Sequence, residues 1–264
     1  MRFYKYEGIG NDFIVIDGIR EIVNIDNDLC RRMCDRNFGI GADGVLYVLP
    51  GQDGSDITMR IVNSDGSDAV MCGNGIRCVA KFAYDTGLVK DTSFTVNTLR
   101  GNLRADVTVK DGKADMIAID MGAPMPEKDY TVLEIDGIRV KGRKVSMGNP
   151  HYVTFDVLTK DSTDILGPVL ESHPEFPDRT NVEFASVKDG KIDIRVYERG
   201  AAWTLACGTG ACATTTAAAM DGMVPFYTPV DVHLPGGWLR ITVDGKLRNV
   251  RMQGPARYVF QGEY

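Results

Sequence analysis

The most constraining feature of this sequence is an internal repeat built around two cysteines. The segment CGNG at residues 72–75 aligns with CGTG at residues 207–210, at a spacing of 135 positions. Three further pairs keep nearly the same frame: RIVN at 60–63 with RVYE at 195–198, GLV at 87–89 with GMV at 222–224, and Gly10-Asn11 with Gly148-Asn149 at a spacing of 138. We therefore expect two related domains rather than one continuous core.

Apolar alternation and short apolar runs, bounded by turn residues, predict many strands. The predicted strands are FIVID, VLYVL, ITMRIV, FTVNT, LRADVTV, MIAIDM, YVTFDV, VEFASV, IDIRVY, VDVHL, LRITV and ARYVF. Helices are predicted in NDLCRRMCDR, after Cys72, in DSTDILGPVLESH and after Cys207. The last of these carries small residues on every side, which is typical of a helix enclosed by sheet. We predict an α+β fold of two pseudo-symmetric, barrel-like halves, each with strands wrapped around a central helix.

The two copies also set the expected domain boundaries. We expect an N-terminal half over residues 1–120, which carries Cys72, and a C-terminal half over residues 121–253, which carries Cys207. The crossover is expected near Gly122-Ala123-Pro124, and the final strand, in residues 254–264, is expected to return to the first half.

Composition argues against several classes of function. The chain has 264 residues, 44% of them hydrophobic, and a formal net charge of −6, whereas nucleic-acid binding favours a basic face. No apolar stretch approaches the ~20 residues that a membrane span needs, and the first residues lack the pattern of a secretory signal. We therefore expect no nucleic-acid or membrane partner and a cytoplasmic location. The six cysteines are sparse, which favours free thiols over a disulfide framework.

A cysteine at the start of a helix has a specific chemical use. The first turn presents unpaired backbone N–H groups and a partial positive charge, which stabilise an anion such as a thiolate. In such positions the thiol pKa falls from ~8.5 toward ~3.5–7.5, so we expect Cys72 and Cys207 to be competent bases. The glycines that follow each cysteine allow a ligand to approach the backbone closely.

Two such cysteines can invert a stereocentre. If the two domains face each other, the helix starts would point into one cleft, with one thiol on each face of a bound molecule. Inversion requires a base that removes the α-proton on one face and an acid that delivers a proton on the other. The helix-end N–H groups would stabilise the negative charge that develops next to an α-carboxylate.

The other four cysteines have a simpler interpretation than the two at the helix starts. A lone cysteine is usually buried and inert, and packing is the better interpretation of Cys78 and Cys212, which lie inside the helices, and of Cys30 and Cys34. No metal site is predicted. A thiol redox or metal-binding protein stays an alternative, although neither motif has Cys-x-x-Cys spacing. A pyridoxal phosphate racemase is disfavoured because no lysine stands out in a cofactor-like context.

Longer motifs extend the pattern over nearly the full chain. They are GIGNDFIVID, GIGADG at 39–44, NSDGSDAVMCGNGIRC, VSMGNPHYV, RTNVEF, ERG and ACGTGACA. In these motifs the chain resembles the diaminopimelate epimerase family. The resemblance implies a cofactor-independent isomerase that interconverts LL- and meso-diaminopimelate on the route to lysine and peptidoglycan. It also implies an amino acid substrate and a homodimer.

The resemblance carries over to individual positions. It implies that Cys72 and Cys207 are the acid–base pair, and that His151 lies near the site. Contacts to the reacting α-carboxylate are implied for Gly73, Asn74, Gly208 and Thr209. Recognition of the distal end of the substrate is implied for Asn11, Asn63, Asn149, Asn181, Glu198 and Arg199, whose side chains suit carboxylate and ammonium groups.

Two departures from the family pattern concern specificity. After Glu198-Arg199-Gly200 many members continue x-Gly-Glu-Thr, whereas this chain has Ala201-Ala202-Trp203-Thr204. At position 44 some members have Gln where this chain has Gly44. We expect Trp203 to pack against the other domain, and the alternative is that it narrows the site. A racemase for another amino acid, such as histidine or lysine, is therefore the second enzyme hypothesis, although the retained distal-end residues favour diaminopimelate.

Overall fold

The computed structural model describes all 264 residues, which form eighteen strands and four helices in two compact units. Unit 1 comprises residues Met1–Asp120 and Gln253–Tyr264, and unit 2 comprises Met121–Met252. No helix is both long enough and apolar enough to cross a membrane.

Unit 1 contains nine strands and two helices. They are β1 (Arg2–Gly8), β2 (Asn11–Asp17), α1 (Asn27–Cys34), β3 (Gly44–Pro50), β4 (Ile57–Asn63), β5 (Asp68–Ala69), α2 (Gly73–Asp85), β6 (Ser93–Thr98), β7 (Gly101–Lys110), β8 (Lys113–Asp120) and β18 (Arg257–Glu263). Strand β1 pairs antiparallel with β2 and β18, and β3 lies parallel to β2. Strand β4 is antiparallel to β3 and β5 and parallel to β6, and β7 joins β6 and β8 in antiparallel pairs.

Unit 2 repeats this pairing pattern. Its elements are β9 (Met125–Ile135), β10 (Ile138–Ser146), β11 (Pro150–Thr154), α3 (Lys160–Glu171), β12 (Asn181–Lys188), β13 (Lys191–Glu198), β14 (Ala202–Thr204), α4 (Gly208–Met220), β15 (Val230–Leu234) and β16 (Gly237–Val243). Strand β17 (Val250–Pro255) begins in unit 2 and ends in unit 1, because the boundary lies after Met252. Strand β10 pairs antiparallel with β9 and β11, and β12 lies parallel to β11. Strand β13 is antiparallel to β12 and β14 and parallel to β15, which pairs antiparallel with β16.

Each unit encloses one central helix. In unit 1, α2 contacts strands β1, β2, β3, β4, β7, β8 and β18. In unit 2, α4 contacts β9, β10, β11, β12, β13, β15 and β16, and every residue from 210 to 219 of this helix is buried. Alanine, threonine and glycine dominate α4 because strands surround it, and small side chains let them approach on all sides.

Both central helices have 13 residues and end in the same way. Gly87 and Gly222 follow them with φ of 75° and 71°, a left-handed conformation that glycine adopts without steric cost. The amide of Leu88 then donates to the carbonyl of Ala83, and that of Met223 donates to Ala218. These bonds satisfy carbonyls that the helix end would otherwise leave open.

The two outer helices cover the strands of their own unit. The Asp26 side chain caps α1, and the Thr159 side chain caps α3, by accepting backbone N–H groups of the first turn. Cys30, Met33 and Cys34 of α1 pack into one apolar cluster of unit 1. Burial raises the pKa of Cys34 to about 12, so this thiol serves packing, as the sequence predicts.

The predicted fold class is confirmed, because each unit winds its strands around one central helix. All four predicted helices form, and so do the twelve predicted strands. One strand is shorter than predicted, since β11 ends at Thr154 and the predicted YVTFDV strand continued to residue 157. Strands β1, β5, β9, β10, β14 and β17 were not predicted.

The hairpin between β13 and β14 contains a residue in an unfavourable conformation. Ala202 pairs with Glu198 and has φ of 59°, where a β-carbon is strained. Ala201, its exposed neighbour, has no such φ. The family pattern places glycine at position 202, which suits this backbone.

We predict that Ala202→Gly raises the free energy of unfolding by about 0.5–1 kcal/mol, because glycine relieves the left-handed strain. The matched control Ala201→Gly should lower it by about 0.5 kcal/mol, since there glycine only adds entropy to the unfolded chain. Urea denaturation followed by circular dichroism measures both. Shifts of the same sign in the two variants would contradict the assignment of strain to Ala202.

Candidate active site

Cys72 occupies the position just before the first turn of α2. Its backbone is extended, with φ −133° and ψ 120°, and its Sγ accepts the N–H of Gly75 at 3.4 Å. The thiol also lies 3.6 Å from Asn11 Oδ1, to which it donates. Cys72 is half-buried, so the sulfur combines access with helix-end donors.

Two amides connect Cys72 to charged residues within unit 1. Asn74 Nδ2 donates to Asn11 Oδ1 at 3.2 Å, and Arg77 Nη2 donates to Asn74 Oδ1 at 2.9 Å. On the other side, Asn11 Nδ2 donates to Asp43 Oδ2 at 2.5 Å. Both predicted amides, Asn11 and Asn74, therefore lie beside the predicted thiol.

Cys207 occupies the corresponding position before α4. Its backbone is also extended, with φ −127° and ψ 103°, but its side chain makes no capping bond to the helix backbone. Its Sγ lies 3.7 Å from the hydroxyl of Thr209. A β-carbon at Gly210 would come within 3.1 Å of this sulfur and within 2.8 Å of Glu183 Oε1, so a larger residue there would displace the Glu183 carboxylate.

The surroundings of Cys207 are acidic. Burial raises the pKa of the Cys207 thiol well above its ordinary value, and the carboxylates of Glu198 and Glu183 raise it further. Desolvation likewise raises the pKa of Glu198, while hydrogen bonds from Thr204 and Cys207 act in the opposite direction. The expectation of a lowered thiol pKa is therefore wrong for Cys207, since burial and two nearby carboxylates outweigh the helix end.

His151 and Asn149 extend this cluster in unit 2. His151 is buried, with Nδ1 2.6 Å from Glu183 Oε1 and Nε2 3.1 Å from Asn149 Oδ1. Asn149 Nδ2 donates to Thr209 Oγ1 at 3.3 Å, which returns the chain of contacts to the start of α4. The predicted residues Asn149, His151 and Thr209 thus form one connected group with Cys207.

Gly73 and Gly208 begin the helices α2 and α4, and the other predicted residues lie at strand ends or next to them. Asn181 Oδ1 accepts the backbone N–H of Arg199 at 2.9 Å, and Arg199 Nη1 donates to the Asp178 carbonyl. Glu198 ends β13 and accepts the Thr204 hydroxyl at 2.5 Å. Asn63 ends β4, where its side-chain amide donates to Ser67 and its backbone pairs with Gly44, the residue after Asp43.

Three charged residues of the groups around Cys72 and Cys207 were not predicted as site residues from the sequence. Asp43, Arg77 and Glu183 all fall inside the quoted motifs GIGADG, MCGNGIRC and RTNVEF, so the signal was present. No cluster of three or more histidine, cysteine, aspartate or glutamate side chains has a geometry that could hold a metal ion.

The two departures from the family pattern differ in consequence. Trp203 packs inside unit 2, with its ring 5.3 Å from Tyr197 and the Arg195 guanidinium 4.1 Å above it. Trp203 therefore packs against the core of its own unit. At Gly44, a β-carbon would lie 2.8 Å from the Val62 carbonyl oxygen, so a larger residue would require the β3–β4 ladder to move.

Comparison with known proteins gives one consistent result. A family model described as diaminopimelate epimerase matches residues 3–126 and 143–259. A diaminopimelate epimerase from Pelotomaculum thermopropionicum is 45% identical, and the alignment covers 100% of this chain and 99% of that protein. A diaminopimelate epimerase from Synechococcus sp. is 43% identical over 99% of this chain and 97% of its own length. The crystal structure of a hydroxyproline epimerase from Agrobacterium vitis matches with a TM-score of 0.75, covering 100% of this chain and 90% of that one, but at 16% identity it shares only the fold.

We predict that Glu198→Gln, introduced together with Cys72→Ala, lowers the pKa of the Cys207 thiol, because one of the two negative charges beside the sulfur is removed. The rate of iodoacetamide alkylation of Cys207 near pH 8 should rise about threefold or more. Peptide mass spectrometry locates the label.

The matched control is Glu134→Gln, an exposed carboxylate on β9 of the same unit, which should leave the rate unchanged. An unchanged or slower rate in Glu198→Gln would contradict the electrostatic role of Glu198.

Proposed function

The chain belongs to the diaminopimelate epimerase family, and we propose that it performs the family reaction with Cys72 and Cys207 as its acid–base pair. The protein is an isomerase that epimerises diaminopimelate in lysine biosynthesis. The finer proposal is the conversion of LL- to meso-diaminopimelate, which also supplies peptidoglycan precursors. The observation that supports it most directly is the matched position of the two cysteines, each just before the first turn of a central helix.

The proposed chemistry is proton removal and proton return at one α-carbon. One sulfur, as thiolate, takes the α-proton from one face, and the other, as thiol, delivers a proton to the opposite face. The acidic surroundings of Cys207 favour its thiol form before the substrate binds. In the direction in which Cys72 is the base, Cys207 is the proton donor, and the roles exchange in the reverse reaction.

The proposed substrate contacts divide into two groups. The N–H groups at the two helix starts, from Gly73, Asn74, Gly208 and Thr209, stabilise the α-carboxylate as negative charge builds next to it. The distal amino acid group is bound by Asn11, Asn63, Asn149, Asn181, Glu198 and Arg199. We propose no cofactor, because the chain itself supplies the acid, the base and the groups that stabilise the carbanion.

We further propose a homodimer that works in the cytoplasm. Strand β18 leaves the apolar side chains of Tyr258, Val259 and Phe260 exposed, with Val259 on the face opposite to the other two, and a second copy could cover part of this strand. A mechanism that depends on two free thiols requires the reducing conditions of that compartment.

Sedimentation equilibrium should give twice the mass of one chain, and a single-chain mass at micromolar concentration would contradict the dimer.

The mechanism predicts a specific isotope pattern in heavy water. The thiol that delivers the new proton exchanges with solvent before the substrate arrives, so early meso product should carry deuterium at the inverted carbon. The remaining LL substrate should stay largely unlabelled, because the base returns the original hydrogen before it exchanges. Nuclear magnetic resonance of both species during the first few per cent of turnover, without added cofactor, measures this.

The controls are Cys72→Ala and Cys207→Ala, each of which should abolish inversion since each face needs its own group. Retention of the original hydrogen in most of the early product would contradict two bases. Absence of turnover with diaminopimelate, together with turnover of another amino acid, would contradict the substrate.

A further inference from the structure

A directed series of hydrogen bonds in unit 1 passes beside the Cys72 sulfur. It runs from the Arg77 guanidinium to Asn74 Oδ1, from Asn74 Nδ2 to Asn11 Oδ1, and from Asn11 Nδ2 to Asp43 Oδ2, with distances of 2.9, 3.2 and 2.5 Å. We call these four residues the amide series. The Cys72 sulfur meets it at Asn11 Oδ1, at 3.6 Å.

The two ends of the amide series determine how both amides point. A guanidinium only donates hydrogen bonds and an ionised carboxylate only accepts them. The Asn74 oxygen must therefore face Arg77, and the Asn11 nitrogen must face Asp43. With its nitrogen on Asp43 and its oxygen accepting from Asn74, Asn11 presents that oxygen to Cys72.

Asp43 is itself held in place from two directions. Arg36 Nη2 donates to Asp43 Oδ1 at 2.8 Å, and the backbone N–H of Asp12 donates to Oδ2 at 3.1 Å. The backbone of Asp43 is fixed as well, because its N–H donates to the Asp12 carbonyl and its carbonyl accepts the N–H of Ser64. The acceptor that orients Asn11 is therefore rigid although Asp43 is partly exposed.

We propose that Asp43 is a positioning residue, which fixes the Asn11 amide so that its oxygen, and not its nitrogen, faces the Cys72 sulfur. This proposal rests on the acid–base role proposed above for Cys72. Asp43 does not touch the sulfur, and it acts only through Asn11.

The orientation matters because the sulfur must be neither too acidic nor too basic. The Gly75 N–H and the helix start stabilise the thiolate, and a thiolate that is stabilised too strongly is a weak base for an α-proton. An amide oxygen next to the sulfur stabilises the S–H form and offsets this effect. An amide nitrogen in the same place would donate to the sulfur and add to it.

Charged groups from several elements also lie around this helix start, and their charge is the same whichever way the amide points. They are Arg77 on α2, Lys5 and Glu7 on β1, Asp12 on β2, Arg36 and Asp43 between α1 and β3, and Arg257 on β18. Asp12 pairs with Lys5 and Arg36, Arg36 also pairs with Asp43, and Arg257 lies 3.8 Å from Glu7. A test must therefore separate the orientation of Asn11 from the charge of Asp43.

A double-mutant cycle on the full-length chain makes this separation. All proteins carry Cys207→Ala, and the four members are the parent, Asp43→Asn, Asn11→Ala and the combination. The rate of iodoacetamide alkylation of Cys72 is measured as a function of pH and located by peptide mass spectrometry. We expect Asp43→Asn to speed alkylation about threefold to tenfold below the titration midpoint, because the new amide can present its own nitrogen to Asn11, which loosens the hold of the Asn11 oxygen on the thiol.

In the Asn11→Ala background the same substitution should change the rate less than twofold, since there is no amide left to orient. An equal change in both backgrounds would show that only the charge of Asp43 matters and would overturn the proposal. No change in either background would overturn it too.

The matched control is Asp12→Asn, which removes a carboxylate from the same ion pairs without removing the side-chain acceptor of Asn11. Its effect should be the same in both backgrounds. Asp43→Ala, which removes the acceptor without adding a donor, replaces Asp43→Asn if the latter does not fold. Because the readout is alkylation, a chain that shows the cycle but does not epimerise diaminopimelate contradicts the proposed function and leaves the role of Asp43 standing.

Discussion

The enclosure of α2 and α4 by strands is the constraint on which the rest of the structure depends. A helix buried on every side has no polar face, so α4 is built of alanine, threonine, glycine and cysteine, and α2 buries ten of its thirteen residues. The unpaired N–H groups of the first turn are the polar feature that such a helix keeps. The position just before that turn is therefore where chemistry can be placed, and a cysteine occupies it in both units.

The same scaffold places the two thiols in different electrostatic surroundings. Cys72 is half-buried, accepts a backbone N–H and lies beside an amide oxygen, whereas Cys207 is buried next to Glu183 and Glu198. The backbone is alike at both sites, because Cys72 and Cys207 have the same extended conformation just before their helices. The neighbouring side chains have diverged, and with them the proton affinity of each sulfur. Acid and base roles can be distributed in this way without any change in fold.

Sequence patterns identified the strands whose apolar residues alternate or form short runs. They missed strands such as β9 and β10, whose local sequence does not show this pattern. Strand β9 carries exposed charged residues over much of its length, and its alternation is weak until Leu133. Strand β10 contains Gly142, which packs directly against the Tyr152 ring and which reads as a turn residue in isolation. Conversely, the apolar run after Thr154 resembles a strand, but β12, the parallel partner of β11, is matched only as far as this residue. Pairing across the sheet determined whether these segments form strands, and the local sequence pattern does not encode that pairing.

The sequence by itself determined the duplication, the two cysteines at the helix starts, the family and the residues that accompany each motif. It determined these because repeat spacing, helix capping and motif order are properties of the chain read in one direction. Only the tertiary structure decided that Glu183 and Glu198 flank Cys207, that Asp43 orients Asn11, and that Trp203 belongs to the core of unit 2. The physical reason is that the proton affinity of a thiol depends on charges and hydrogen bonds within a few ångströms. Residues from distant strands supply these interactions, and only folding brings them next to the sulfur.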